Sequence, residues 1–231
     1  MTAEDIERRL RALGTRERAE AEKRYLKSEL VHLGATVWQI RREMRAFAKA
    51  HPALSHDELV ALVEELWAKP VHERRMAATL LLEAYPELVG PADLPLLERL
   101  LRESKTWALV DGLAGDVTGR LLVRHPRAAA RLDRWAADDD FWVRRAALLA
   151  MIEPLKAGAP FERFARHADA MLDEKEFFIR KAIGWVLRET GKTRPDEVFE
   201  WLAPRRKRVS GVTIREAIKY LRPDQQQALR P

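Results

Sequence analysis

Apolar residues recur along the chain at the three- to four-residue spacing of amphipathic helices, and no stretch shows the strict alternation of a β-strand. Pro, Gly and Asx/Ser residues interrupt this pattern often, so each predicted helix spans roughly 10 to 18 residues. Ser55 and Glu58 have the spacing of a capping box at one predicted start. Other expected boundary residues are first-turn prolines and glycines after helix ends: Pro91, Pro195, Gly34, Gly90, Gly158 and Gly191.

A short motif, a basic pair or near pair followed by small and apolar residues, repeats along the chain. Its copies cover residues 73–78, 143–148, 179–184 and 214–219, with starts 70, 36 and 35 residues apart. Weaker copies begin at Trp107 and Trp38. A period of about 35 residues is typical of stacked helical pairs. It predicts about six such pairs.

The expected fold is therefore an all-α, single-domain HEAT-like α-solenoid over residues 1–231 with a concave basic groove. A basic residue that recurs at one repeat position would form a row of positive charge along that groove. Alternatively, the same side chains lie on solvated faces or form salt bridges between repeats. The candidates for the row are Arg42, Arg75, Arg145, Lys181 and Lys219.

Composition supports helix and an anionic partner. Charged residues make up 34% of the chain, glycines number only 10, and the net charge is +6. Clustered cations gain affinity for nucleic acid by releasing counterions, although net charge alone is weak support. A basic run in a predicted loop is a candidate for phosphate contact, and an ordinary solvated loop is the alternative. It comprises Arg205, Arg206, Lys207 and Arg208.

Several kinds of chemistry are excluded or disfavoured. The chain has no cysteine, which excludes disulfides, thiolate catalysis and Cys-ligated zinc. The six histidines form no pair with a carboxylate at metal-ligand spacing, and no Gly-rich phosphate loop is present, so we expect no metal and no cofactor. Charged residues near the N-terminus and the lack of a long apolar run predict a soluble, cytoplasmic protein without a membrane association.

Trp107 and Asp111 are four residues apart on one predicted helix, so they share a face about one turn apart. An aromatic ring beside a carboxylate could form a site. The alternatives are core packing for the tryptophan and a helix cap or an ion pair for the carboxylate. Strict repeat register would place Arg145 and Trp185 on a different face, so spacing alone does not bring these residues together.

The segment 175–189, KEFFIRKAIGWVLRE, closely resembles the signature of the AlkD-type DNA alkylation repair glycosylases. Stretches 23–27, 104–111, 142–147 and 215–219 are similar to the same family in the same order, so the resemblance covers nearly the whole chain.

The resemblance implies hydrolysis of the N-glycosidic bond of positively charged N3- and N7-alkylated purines in duplex DNA, with the lesion left stacked rather than flipped. It places the catalytic carboxylate at Asp111, the site tryptophans at Trp107 and Trp185, a backbone-contacting arginine at Arg145 and a neighbouring aromatic at Tyr25. The family often has a tryptophan and an acidic residue on either side of the first tryptophan. Here Thr106 and Ala108 stand there, which leaves the preferred adduct open.

The expected partner is accordingly duplex DNA that contains alkylated bases. We expect a monomer with no obligate protein partner, associated with the nucleoid when it is bound to DNA. A non-catalytic relative that binds damaged or branched DNA would keep the basic row without needing Asp111. A protein-binding α-solenoid would need neither the Trp107–Asp111 pair nor salt-sensitive DNA binding.

Overall fold

The computed structural model describes residues 2–229, and these residues are helical with no β-strand, which confirms the all-α prediction. The single β-type pairing among them is an isolated bridge between Val31 and Val71. No helix in this part of the chain is long and apolar enough to span a bilayer.

Helices of 5 to 15 residues follow one another along the chain, some of them shorter than the pattern predicted. A π-helical stretch, Gly112–Gly119, joins α7 to α8. The α-helices are α1 Ala3–Leu13, α2 Arg16–Leu26, α3 Val37–Ala50, α4 His56–Ala68, α5 His72–Ala84, α6 Leu94–Ser104, α7 Trp107–Asp111, α8 Arg120–Arg124, α9 Ala130–Trp135, α10 Phe141–Leu149, α11 Ile152–Lys156, α12 Glu162–Ala170, α13 Phe177–Gly191, α14 Pro195–Leu202, α15 Gly211–Ala217 and α16 Pro223–Leu229.

Most boundary predictions are confirmed. Ser55 and Glu58 form the capping box that begins α4, and Pro195 is the first residue of α14. Pro91 begins a 3-10 turn that leads into α6, and Gly158 follows α11 with a positive φ of 92°. The prediction for Gly34 is wrong, and Gly191 is the last residue of α13 rather than the residue after its end.

Gly34 lies in the loop between α2 and α3 rather than just after a helix end. Its φ is 88°, and a Cβ atom there would lie 2.1 Å from the carbonyl oxygen of Thr15. Only glycine fits this position. The buried carboxylate of Glu73 holds the same loop, accepting hydrogen bonds from the backbone N–H groups of Leu33 (2.9 Å) and Gly34 (2.6 Å). Burial raises the pKa of this carboxyl group.

The chain divides into two compact units, residues up to Leu113 and residues from Ala114 onward. In the first unit α5 packs against α1, α3, α4 and α7, and it is buried on nearly every side. Such a helix cannot be amphipathic. Its charged residues are therefore paired: Arg74 donates to Glu7 at 2.7 Å and to the carbonyl oxygen of Glu65 at 2.7 Å.

In the second unit α13 has the central place and packs against α10, α11, α14 and α15. Gly184 permits the close approach of α15. A Cβ atom at this position would lie 2.8 Å from Cβ of Glu216 and 2.9 Å from the carbonyl oxygen of Thr213.

The four strong copies of the repeated motif lie near the starts of α5, α10, α13 and α15. The third residue of the first three copies reaches a group about 30 residues later. Arg75 donates to the carbonyl oxygen of Glu103 (2.7 Å), and Arg145 to that of Phe178 (2.5 Å). Lys181 donates to Glu216 at 2.5 Å. These basic residues therefore make the inter-repeat contacts that were the alternative to a free row of charge.

Candidate functional site

The helix that carries Trp107 and Asp111 has one open side. Trp107, Ala108, Asp111 and Gly112 are each half-buried, whereas Leu109 and the residue after it are fully buried. Positions 107, 108, 111 and 112 form one stripe of a helix. The tryptophan and the carboxylate therefore share a face, as their spacing predicts.

Local backbone geometry sets this stripe. Lys105, the residue after α6, has the left-handed conformation at φ 50°, and the extended Thr106 directly precedes α7. Immediately after Asp111 the helix becomes π-helical, which changes the phase of the side chains along it, and such segments are frequent at functional sites. A Cβ atom at Gly112 would lie 3.0 Å from Cγ2 of Thr79, so glycine allows this helix to lie close to α5.

Thr106, one of the two departures from the family pattern, is buried. It is 2% exposed, and its hydroxyl group has no hydrogen-bond partner among the described residues. Ala108, the other departure, lies on the open stripe. The small methyl side chain of Ala108 leaves room beside Trp107.

Tyr25 lies against this stripe. Its ring and that of Trp107 form an edge-to-face pair, with centroids 5.9 Å apart. Tyr25 is 73% exposed and belongs to α2, whose one buried residue is Leu26. The first unit thus places Trp107 one helical turn from Asp111, and places the exposed ring of Tyr25 against Trp107.

Trp185 and Arg145 belong to the second unit. Trp185 is half-buried on α13, with the guanidinium carbon of Arg188 5.9 Å from its ring centroid. Arg145 is 3% exposed and lies 5.7 Å from the ring centroid of Phe178, to whose carbonyl oxygen it donates. Its contact with DNA backbone stays a prediction.

Three basic side chains donate hydrogen bonds to the carboxylate of Glu216. Lys181 donates to Oε1, whereas Lys219 (3.0 Å) and Arg188 (2.5 Å) donate to Oε2. Burial alone would raise the pKa of the Glu216 carboxyl group, but these cations outweigh burial and lower the pKa to about 2. Lys181 and Lys219 are therefore shared with an anion of the chain itself.

The basic run is also largely engaged with the chain. Arg205 donates to Asp169 at 2.8 Å, Arg208 to Asp173 at 2.6 Å, and Arg206 to the carbonyl oxygen of Leu229 at 2.6 Å. Lys207 is exposed. Phosphate contact by this run stays a prediction.

Arg42 lies on the surface of α3, next to Trp38, which was not among the candidate residues predicted from the sequence. Its guanidinium carbon lies 5.2 Å from the ring centroid of Trp38, which is 67% exposed. In the sequence, Trp38 was noted only as the first residue of a weak copy of the repeated motif. Its place on the polar side of α3, four residues before Arg42, was the available signal.

Comparisons with known proteins agree with this fold. The family described as DNA alkylation repair enzyme matches residues 6–221. A search of curated proteins finds no match.

Among solved structures, an Enterococcus faecalis protein described as a predicted DNA alkylation repair enzyme is 24% identical. The alignment covers 91% of this chain and 97% of that protein, with a TM-score of 0.78. AlkD2 from Streptococcus mutans is 18% identical, with 78% and 89% covered and a TM-score of 0.60. The protein smu.31 from Streptococcus mutans is also 18% identical, with 80% and 98% covered and a TM-score of 0.59. At these identities the likeness shows a shared fold.

Proposed function

The chain belongs to the DNA alkylation repair enzyme family, and on that premise we propose that it is a DNA glycosylase. It excises positively charged N3- and N7-alkylated purines from duplex DNA by hydrolysis of the N-glycosidic bond, with the lesion left in the base stack. The observation that carries the proposal is that Asp111 and Trp107 lie one turn apart on the same half-buried face of α7.

The chemistry requires little more than this pair. The alkylated purine is already cationic, so it leaves with the electrons of the bond to C1′ without prior protonation. A sugar cation resembling that of glycoside hydrolysis develops, water adds at C1′, and the water proton passes to the carboxylate or to solvent. Asp111 would stabilise the cation electrostatically and orient the water.

The aromatic rings serve the same cation. The face of a tryptophan or tyrosine ring attracts a nearby positive charge by roughly 0.5 to 2 kcal/mol. The edge-to-face contact fixes the orientation of Trp107 against Tyr25, so that the face of Trp107 is held in place before DNA arrives. Trp185 is proposed as a second ring for the lesion.

Binding to the duplex would come from the basic surface. Arg42, with Trp38 beside it, is exposed and, among the described residues, makes only a 3.5 Å contact with the carboxylate of Glu43, and Lys207 is exposed as well. Phosphate would have to compete with carboxylates or carbonyl oxygens of the chain for several other proposed contacts. These are Arg75, Arg145, Lys181, Arg205, Arg206, Arg208 and Lys219.

Release of free 7-methylguanine from a methylated duplex, measured by chromatography and mass spectrometry without added metal, tests the proposal. Asp111→Asn should slow release by about 10- to 1000-fold, the effect of losing one electrostatic group, while duplex binding persists. Asp57→Asn is the matched control, since the Asp57 side chain is 99% exposed on α4.

Equal release by the Asp111→Asn variant and the unmodified protein would remove Asp111 from the mechanism. Duplex binding without release of any alkylated base would instead identify a non-catalytic protein that binds damaged or branched DNA.

A further inference from the structure

Three potential metal ligands meet inside the first unit, on the side of α2. Glu22 of α2, His32 of the loop between α2 and α3, and His72 at the start of α5 each offer one ligand atom, and these atoms all lie within 4.8 Å of one another. None of the three was a candidate in the sequence, because Glu22 and His32 are far in sequence from His72. The fold brings them together.

The backbone holds the two histidines side by side. The N–H group of His72 donates to the carbonyl oxygen of Val31, and the N–H group of Val31 donates to that of Pro70, both at 2.9 Å. These bonds form the isolated bridge between the loop and the start of α5. The two imidazole rings are consequently stacked, with centroids 4.6 Å apart and planes 10° apart.

The cluster is buried and four of its polar atoms are unsatisfied. The His32 side chain and the residue His72 are each 1% exposed. Among the described residues, no hydrogen-bond partner exists for Oε2 of Glu22, for either ring nitrogen of His32, or for Nδ1 of His72. Oε2 of Glu22 lies 3.8 Å from Nδ1 of His32, too far for a hydrogen bond. Buried polar atoms in folded proteins nearly always have a partner.

We propose that Glu22, His32 and His72 bind one Zn²⁺ ion. Two imidazole nitrogens and a carboxylate oxygen are typical ligands of Zn²⁺. Mg²⁺ and Ca²⁺ prefer oxygen ligands alone, so this set favours Zn²⁺. A tetrahedral ion with ligands at about 2.0 to 2.1 Å needs ligand atoms roughly 3.4 Å apart. The most widely separated ligand atoms therefore have to approach one another by as much as about 1.4 Å, and the stacked rings turn out of parallel.

A surface pocket and an arginine lie beside the cluster. The pocket, of about 460 Å³, includes His32 in its lining together with Lys23 and Val31, so Zn²⁺ would enter from this side when the buried His32 ring moves. The other carboxylate oxygen of Glu22 accepts a hydrogen bond from Arg18 at 3.4 Å. Outer contacts of this kind orient a metal-binding carboxylate. Water from the pocket completes the fourth ligand position.

The ion would fix α2 to the rest of the first unit. Leu26 is the one buried residue of this helix, so α2 has a small apolar contact with the rest of the unit. Tyr25, which contacts Trp107, is on α2 three residues after Glu22. Zn²⁺ would join α2 to the loop and to α5, and would hold Tyr25 in its place. The inference is independent of the glycosylase proposal, because metal binding is measured without DNA.

The test begins with the full-length protein, stripped of metal by a chelator and dialysed against Zn²⁺. Elemental analysis should give about one equivalent of tightly held Zn²⁺ per chain. Hydrogen exchange of the α2 amides should slow when Zn²⁺ is added, and the unfolding temperature should rise by about 5 to 10 °C at a hundredfold excess over Kd. Co²⁺ used as a probe should show the visible absorption of a tetrahedral site.

Variants separate a site from adventitious binding. His32→Gln and Glu22→Gln should each weaken Zn²⁺ binding by more than about 100-fold, since loss of outer contacts alone weakens metal sites by 10- to 100-fold. His125→Gln removes an exposed histidine and is the matched control, expected to bind as the unmodified protein does. Circular dichroism checks that each variant folds, and Glu22→Gln, which keeps the shape of a half-buried side chain, provides the test if His32→Gln does not.

The proposal is overturned by a substoichiometric Zn²⁺ content, or by stoichiometric Zn²⁺ that both variants retain. An unchanged hydrogen-exchange pattern in α2 at saturating Zn²⁺ would overturn the structural role of the ion. Zn²⁺ content, Zn²⁺ affinity and hydrogen exchange are all measured without DNA. Failure of the glycosylase proposal would therefore leave these three results unchanged.

Discussion

The rings of Tyr25 and Trp107 lie nearly perpendicular, at 86°, with their centroids 5.9 Å apart. Tyr25 is otherwise 73% exposed, so Trp107 is an important support for its ring. The contact links α2, an exposed helix, to the helix that carries Asp111. It is the most direct structural reason to treat the N-terminal helices as part of the candidate site.

Removal of the Tyr25 ring should therefore affect the site more than the fold. Tyr25→Ala should lower kcat/KM for release of an alkylated base by about 2- to 10-fold, the equivalent of one lost aromatic pair. Tyr25→Phe keeps the ring and should retain the activity. The measurement is single-turnover release, with thermal unfolding as a check; a large loss in both variants would show that the hydroxyl group, not the ring pair, is what matters.

Arg145 should have two separable roles. Arg145→Ala removes the bond to the carbonyl oxygen of Phe178 and should reduce the free energy of unfolding by about 1 to 3 kcal/mol. If Arg145 also contacts phosphate, the slope of log Kd against log salt should fall by about 1. Arg8→Ala, at an exposed position of α1, is the control for the loss of a charge. A destabilised variant with an unaltered slope would restrict Arg145 to the inter-repeat contact.

The cations around Glu216 should make the free energy of unfolding depend on pH in the acid range. Its pKa is about 2 in the folded protein and 4.5 ordinarily, so the folded state holds the anion more tightly than the unfolded chain does. Its contribution is fully present above about pH 4.5 and is lost as the pH falls toward 2. Glu216→Gln should be less stable by about 2 kcal/mol at pH 7, with a difference that shrinks below pH 4.5.

Urea unfolding of both proteins at pH 7, 5 and 3 measures this difference. A gap between the two curves that does not change with pH would mean that the cations around Glu216 do not lower its pKa.

Gly184 should be intolerant of any side chain. Gly184→Ala places a methyl group 2.8 Å from Cβ of Glu216, so α13 and α15 must separate, and we expect a loss of about 1 to 3 kcal/mol in unfolding free energy. Gly90→Ala is the matched control, because nothing lies within 4 Å of a Cβ atom there and its φ is negative. Equal unfolding midpoints for the two variants would contradict the close approach.

The sequence predicts well what depends on local chemistry. The all-helical class, the capping box at Ser55 and the first-turn position of Pro195 are confirmed, since each depends on residues within one helical turn. The common face of Trp107 and Asp111 follows from helical spacing in the same way.

Features that depend on tertiary contact were not predictable. Gly34 was assigned to a helix end because glycine is frequent there, but it is required by the carbonyl oxygen of Thr15, a contact outside its own turn. The repeat showed a row of cations but not their partners, which lie 28 to 35 residues onward for Arg75, Arg145 and Lys181. His32 and His72 escaped notice because no spacing rule connects a loop to a helix 40 residues away.

The carboxylate of Glu73 gives the loop between α2 and α3 a rigid anchor inside the protein, through the backbone of Leu33 and Gly34. Any chimera that exchanges this loop for that of a relative must therefore transfer an acidic residue at position 73 and a glycine at position 34 as one module. A loop transplanted into a relative without the acid would leave two buried backbone N–H groups without an acceptor, and the recombinant protein should lose about 1 to 3 kcal/mol of unfolding free energy for each of them.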